Sequence, residues 1–174
     1  MKIVLMGVAG CGKSSVGVAL AQALALPYRD GDDLHPAANI VKMSRGEPLT
    51  DTDRWPWLEL VGQALRAPGI VGCSALKRVY RELIDRQAGG GVVFVHLSGS
   101  RTVIETRMRA RTGHFMPPAL LDSQFATLEV PAAHERAVVV DIDQPMEMVV
   151  AEIILKLGEL RQATGGSPPD PEDI

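Results

Sequence analysis

Gly7-Val8-Ala9-Gly10-Cys11-Gly12-Lys13-Ser14 satisfies G-x-x-x-x-G-K-[ST] at every position, and the apolar run Ile3-Val4-Leu5-Met6 leads straight into it. A strand that ends in such a loop and continues as a helix is a phosphate cradle. Its glycines let successive backbone N–H groups curl around phosphate oxygens without Cβ clashes. Lys13 then reaches the β- and γ-phosphates, and the Ser14 hydroxyl, at a helix N-terminus, is a ligand for Mg²⁺. Gly7, Ala9, Gly10, Cys11, Gly12, Lys13, Ser14 and Ser15 are therefore the candidate nucleotide contacts.

Working outward, 174 residues suit one domain with a single core, and 46% hydrophobic with 22% charged residues is ordinary for a globular chain. A net charge of -3 offers no general attraction to nucleic acid. No apolar run approaches the ~18 residues of a membrane span. Cys11 and Cys73 each follow a strand-like run and lack companions for a disulfide framework or metal site, which points to a reducing, cytoplasmic compartment.

Five short apolar or β-branched runs, about 2–7, 27–30, 69–73, 92–97 and 137–141, alternate with helical patterns, which predicts an α/β fold with a five-stranded parallel sheet. The first helix runs from Lys13 to about Ala25, stopped by Pro27. Residues 36–67 are too long for one crossover and contain Gly46, Pro48, Pro56 and a polar stretch, Thr50 to Asp53, between two helical pieces, which reads as an inserted substrate-side subdomain. A helix over about 101–111 gives way to Gly113-His114-Phe115-Met116-Pro117-Pro118, a candidate lid over 112–118, then to another helix near 119–128. The stripe Met146, Val149, Val150, Ile153, Ile154, Leu157 and Leu160 predicts a core-facing last helix. The domain then spans 1–162, and the Gly- and Pro-rich residues 163–174 read as a disordered tail.

The second strand runs into Asp30-Gly31-Asp32-Asp33. In extended geometry Asp30 and Asp32 share one side of the chain, at the carboxyl edge where doubly wound sheets bind ligands. One carboxylate can hold Mg²⁺ or its water, while the other orients a hydroxyl nucleophile or accepts its proton. Asp32 takes the catalytic role, Asp30 the metal, and Asp33 reads as a helix cap. Two carboxylates would repel an anionic acceptor such as a nucleoside monophosphate, which favours a neutral hydroxyl.

Arg45 and Arg54, on loops flanking the inserted helices, are candidate forks for a substrate carboxylate, although each also suits a solvated surface. Trp55 and Trp57 read as packing residues of the subdomain. Ser74 and Lys77 follow the third strand and emerge at the same sheet edge as Asp32. A cation in the first turn of a helix gains nothing from the dipole, which argues for a function of Lys77. Arg107 and Arg111 lie four apart, just before the lid, where either can cover adenine or neutralise the transferring phosphoryl group. A helix C-terminus attracts cations for dipole reasons as well.

Over about residues 2–160 the chain resembles the gluconokinases, small P-loop kinases related in fold to shikimate and adenylate kinases. The stretches that carry the resemblance are Asp30-Gly31-Asp32 with Leu34-His35-Pro36, Asn39 through Leu58, and Cys73 through Lys77 with Tyr80-Arg81. Further on they are Gly113-His114-Phe115, Ser123-Gln124-Phe125 with Thr127-Leu128-Glu129, and Asp141-Ile142-Asp143. The resemblance implies a nucleoside-monophosphate-kinase-like P-loop fold, ATP-dependent phosphorylation of the 6-hydroxyl of D-gluconate, and a homodimer. It implies Lys13, Asp32 and Arg111 as catalytic residues and Asp32, His35, Arg45, Arg54, Ser74, Lys77 and Arg81 as gluconate contacts. Mg²⁺ would rest on Ser14 and, through water, Asp30. The residues alone reach a Mg²⁺-dependent kinase with a hydroxyl acceptor. A same-fold kinase for another small hydroxy acid such as shikimate, and a nucleotide-binding regulatory module, are the alternative readings.

Overall fold

The computed structural model describes residues 1–109 and 118–165. Five strands form where the apolar runs lie: β1 (Lys2–Met6), β2 (Tyr28–Asp30), β3 (Gly69–Gly72), β4 (Val92–Ser98) and β5 (Ala137–Asp141). They pair in parallel in the order β2-β3-β1-β4-β5. Ile3 sits opposite Ile70 on one side and Val93 on the other, so β1 is covered along both edges. Its residues Ile3 to Met6 are wholly buried, the near-continuous apolar run of a parallel sheet packed on both faces.

The helices complete two layers. On one face Ile3 and Leu5 meet α1 (Lys13–Leu24) through Val16 and Leu20, and α7 (Met146–Gly165) through Val149, Ile153 and Leu157. Ile104 of α5 (Arg101–Arg109) and Leu121 of α6 (Pro118–Thr127) join the same cluster. On the other face Val4 and Met6 meet Trp57, Leu58 and Val61 of α3 (Asp51–Ala64), and Tyr80, Leu83 and Ile84 of α4 (Arg78–Gln87). The short α2 (Ala37–Ser44) lies between the acidic turn and α3.

Several local expectations change. Extended geometry stops at Asp30, and Gly31–Leu34 form a 3-10 turn capped by Asp30, whose carboxylate accepts from the Asp32 N–H. The capping role expected of Asp33 therefore belongs to Asp30, and the two acids are not side by side on a strand. Thr50 and Asp53 form a reciprocal capping box, so the polar stretch starts α3 and Arg54 stands inside that helix rather than on a loop. Pro56 is carried within α3. α7 continues to Gly165, past the boundary expected at 162. The expected lid lies almost entirely outside the described residues, as does the tail beyond Gly165, while Pro118 begins α6.

Candidate active site

The phosphate loop leaves the carboxyl end of β1, the central strand, and enters α1 through Gly12 in the left-handed region at φ 98°. No side chain caps α1 and no acid stands in its first turn, so its positive end is open to an anion. The Gly7 N–H donates to the Ser74 carbonyl at 3.2 Å, tying the loop to the segment after β3. Lys13 Nζ donates to the carbonyls of Gly7 and Val8, each at 3.1 Å, so its ammonium lies against the first arm of the loop.

Ser14 Oγ donates to Asp30 Oδ2 at 2.9 Å, while Asp30 Oδ1 accepts from the Asp32 N–H at 3.1 Å. One carboxylate thus joins the helix N-terminus of the phosphate loop to the acidic turn. The Asp32 side chain is 86% exposed, free to face a ligand. Beside it the His35 ring is buried, stacked on Trp57 at 4.2 Å, with Nε2 4.0 Å from Asp32 Oδ1. Asn39 Nδ2 donates to the Asp53 carbonyl at 2.8 Å and lies 3.3 Å from His35 Nδ1, which assigns Nδ1 as an acceptor and leaves the proton on Nε2, toward Asp32. Burial, against the pull of Asp32 and with help from Arg54, lowers the His35 pKa and keeps the ring neutral. Trp57 Nε1 donates to the Gly31 carbonyl at 2.7 Å and so holds the acidic turn down.

A second group forms around Asp51, a residue that sequence reasoning passed over. Its carboxylate accepts from Lys77 Nζ at 2.7 Å and from the Tyr80 hydroxyl at 2.5 Å, and pairs with Arg54 at 3.4 Å. The Lys77 bond, the Tyr80 bond and nearby positive charge hold its pKa below the usual carboxylate value, and Asp51 raises that of Lys77. Lys77 and Arg54 are thereby brought to one point, although neither is close in sequence to the other. The only sequence signal was the place of Asp51 directly after a capping threonine.

Other expected contacts separate. The Arg107 Nη1 would lie 3.6 Å from a Cβ on Gly12, and the side chain donates to the Ile142 carbonyl, so the guanidinium lies against the phosphate loop. Arg45 is exposed at the end of α2 and is not among the cations that meet Asp51. Arg81 is corrected. It is 1% exposed, forms a two-pronged pair with Glu135 at 2.6 and 2.8 Å, and donates to the carbonyls of Ala75, Leu76 and Glu129. It braces the segment that carries Lys77, including Ala75 in the left-handed region at φ 42°, and is not exposed to substrate. Arg111 lies outside the described residues. Cys11 and Cys73 are free and buried, and burial pushes the Cys73 thiol up to about 12. Neither is a nucleophile.

The family model for shikimate kinase matches residues 9–158. The thermoresistant gluconokinase of Escherichia coli is 48% identical over 158 residues, covering 87% of this chain and 90% of that protein. This chain belongs to the gluconokinase family. The Gluconobacter oxydans gluconokinase is 44% identical over 87% of the chain and 88% of its own length. A crystal structure of a gluconokinase from Sinorhizobium meliloti superposes with a TM-score of 0.87 at 50% identity, covering 94% of each chain. A shikimate kinase from Aquifex aeolicus, at 21% identity and a TM-score of 0.60, shares the fold.

Proposed function

We infer that this gluconokinase-family chain transfers the terminal phosphoryl group of ATP to the 6-hydroxyl of D-gluconate, giving 6-phospho-D-gluconate and ADP. The observation that carries the reading is the Asp30 carboxylate shared between Ser14 Oγ and the Asp32 N–H, which sets an acidic group beside the phosphate cradle. Ser14, Asp30 and nucleotide oxygens suit Mg²⁺, which prefers one or two carboxylates plus phosphates to an all-protein cage. The ion would neutralise charge on the β- and γ-phosphates.

In this reading the backbone N–H groups and α1 dipole hold the phosphates, and Lys13 leaves the Gly7 and Val8 carbonyls for the β/γ oxygens. Asp32, positioned by the Asp30 cap and faced by the neutral His35, orients the acceptor hydroxyl and takes its proton. Lys77 and Arg54, gathered by Asp51, supply the positive charge that recognises the gluconate carboxylate, and Ser74, whose carbonyl accepts from the phosphate loop, is a further contact. Positioning and electrostatics carry the catalysis. A homodimer, implied by the family resemblance, belongs to the proposal and is checked by sedimentation. So does a cytoplasmic location, supported by two free cysteines. Among the described residues no helix is long and apolar enough to cross a membrane.

A coupled ADP-release assay across gluconate, other sugar acids and shikimate tests the reading. Turnover should be selective for gluconate. Preference for shikimate, or ATP binding with no transfer to any acceptor, would reject it.

A further inference from the structure

Gln124 belongs to the Ser123-Gln124-Phe125 stretch of α6, and the mechanism above gives it no task. Its Oε1 accepts the Ala9 N–H at 2.6 Å, across 115 residues of chain. Ala9 was expected to offer that N–H to the nucleotide; here a side-chain amide already occupies it. The two carbonyls that receive Lys13 Nζ are those of Gly7 and Val8, immediately before Ala9. The cation that reaches the β- and γ-phosphates therefore lies along the same arm of the loop, while the N–H groups of the α1 terminus form the other arm. Gln124 is held on a fixed support: Leu121 is buried in the core, and Asp122 pairs with Arg101 of α5.

We propose that Gln124 is a positioning residue that locks the Ala9 peptide beside the terminal phosphate, and that its neutrality makes the site tolerant of a nucleoside triphosphate. The physical discriminator is the glutamate variant. A carboxylate accepts an N–H bond more strongly than an amide oxygen, so a purely structural latch would work as well or better with glutamate. Only if the latch faces the terminal phosphate does a negative charge there repel the ligand, and it then repels the triphosphate more than the diphosphate. The inference rests on the ATP-dependent kinase reading.

The experiment is calorimetric binding of Mg-ATP and Mg-ADP to the wild-type chain, Gln124→Glu and Gln124→Ala, with melting temperatures and steady-state phosphorylation of gluconate. In Gln124→Glu the ATP Kd should rise about tenfold or more while the ADP Kd rises less than about threefold, with melting unchanged. In Gln124→Ala kcat should fall about tenfold, with the ratio of ATP to ADP affinity close to wild type, because the loop loses its latch without gaining a charge. Equal losses of ATP and ADP in the glutamate variant would overturn the proposal. Should that variant not fold, unchanged kcat in Gln124→Ala overturns it independently. A wild-type chain that discriminates ATP from ADP but leaves gluconate unphosphorylated would reject the functional reading instead.

Discussion

The phosphate side and the acceptor side of this site are built from different materials. The phosphate side is eight consecutive residues whose working groups are backbone N–H groups, aimed by glycine torsions and the start of α1. The proposed acceptor side draws side chains from the 3-10 turn, α2, α3 and the segment before α4, held by Trp57 on Gly31, Asn39 on His35 and Asp51 on Lys77. A backbone nest tolerates variation in side chains around it. A cluster of side chains does not, because each member is oriented by another and the loss of one leaves its partner unsatisfied.

That contrast predicts a division of kinetic effects, beginning with the largest. Asp32→Asn should lower kcat by about 10²–10⁴-fold with ATP affinity nearly unchanged, measured by coupled assay and calorimetry; an unchanged rate would remove Asp32 from the chemistry. Arg81→Met should cost about 3–5 kcal/mol of stability in denaturant unfolding, since it leaves the Glu135 carboxylate without its cation and takes a donor from the Ala75 and Glu129 carbonyls, while the Leu76 carbonyl keeps the Glu129 N–H. It sharpens the comparison if the fraction that stays folded loses gluconate affinity before ATP affinity. Lys77→Met should raise KM for gluconate about 10–100-fold and leave KM for ATP within about twofold; equal rises in both would erase the proposed boundary between the two sides.

The smallest expected effect is the pH dependence of stability. The folded chain holds His35 and His96 neutral, both chiefly by burial, so the unfolded chain binds more protons once the pH falls below the ordinary 6.5. Stability from these rings is full above that value and lost as the pH falls toward their lowered folded values. Asp51 and Glu135, lowered from 3.8 and 4.5 chiefly by Lys77 and Arg81, contribute stability above those values that is lost as the pH falls further. Thermal melts should therefore decline in two stages on acidification. His35→Gln should remove only its share of the upper stage.

How much was legible in advance follows the same division. The strand runs, the glycine loop and its lysine were readable because their meaning is local: apolar periodicity names a buried strand, and the loop spacing names its ligand. Asp30 does reach Ser14 of the loop, yet the extended geometry read for Asp30 and Asp32 fails, since an Asp that caps its own turn ends the strand and starts a 3-10 turn. Thr50-x-x-Asp53, polar enough to read as a break, is a helix start. Arg81 looked like one more cation at the sheet edge. Only packing, which brings Glu135 from 54 residues away, shows it as an internal brace. Asp51 and Gln124 were invisible as organisers because their partners lie 26 and 115 residues off.

By itself the amino-acid sequence determined the parallel α/β frame and the phosphate cradle, because short-range spacing dictates backbone torsion, helix initiation and burial; the family came from resemblance along the chain and not from spacing. Tertiary structure alone decided which cation lies against the phosphate loop, which are paired with carboxylates from distant elements, and which amide accepts the Ala9 N–H. A side chain's role depends on what stands within about 3 Å of its polar atoms, and the chain specifies that distance only after it has folded.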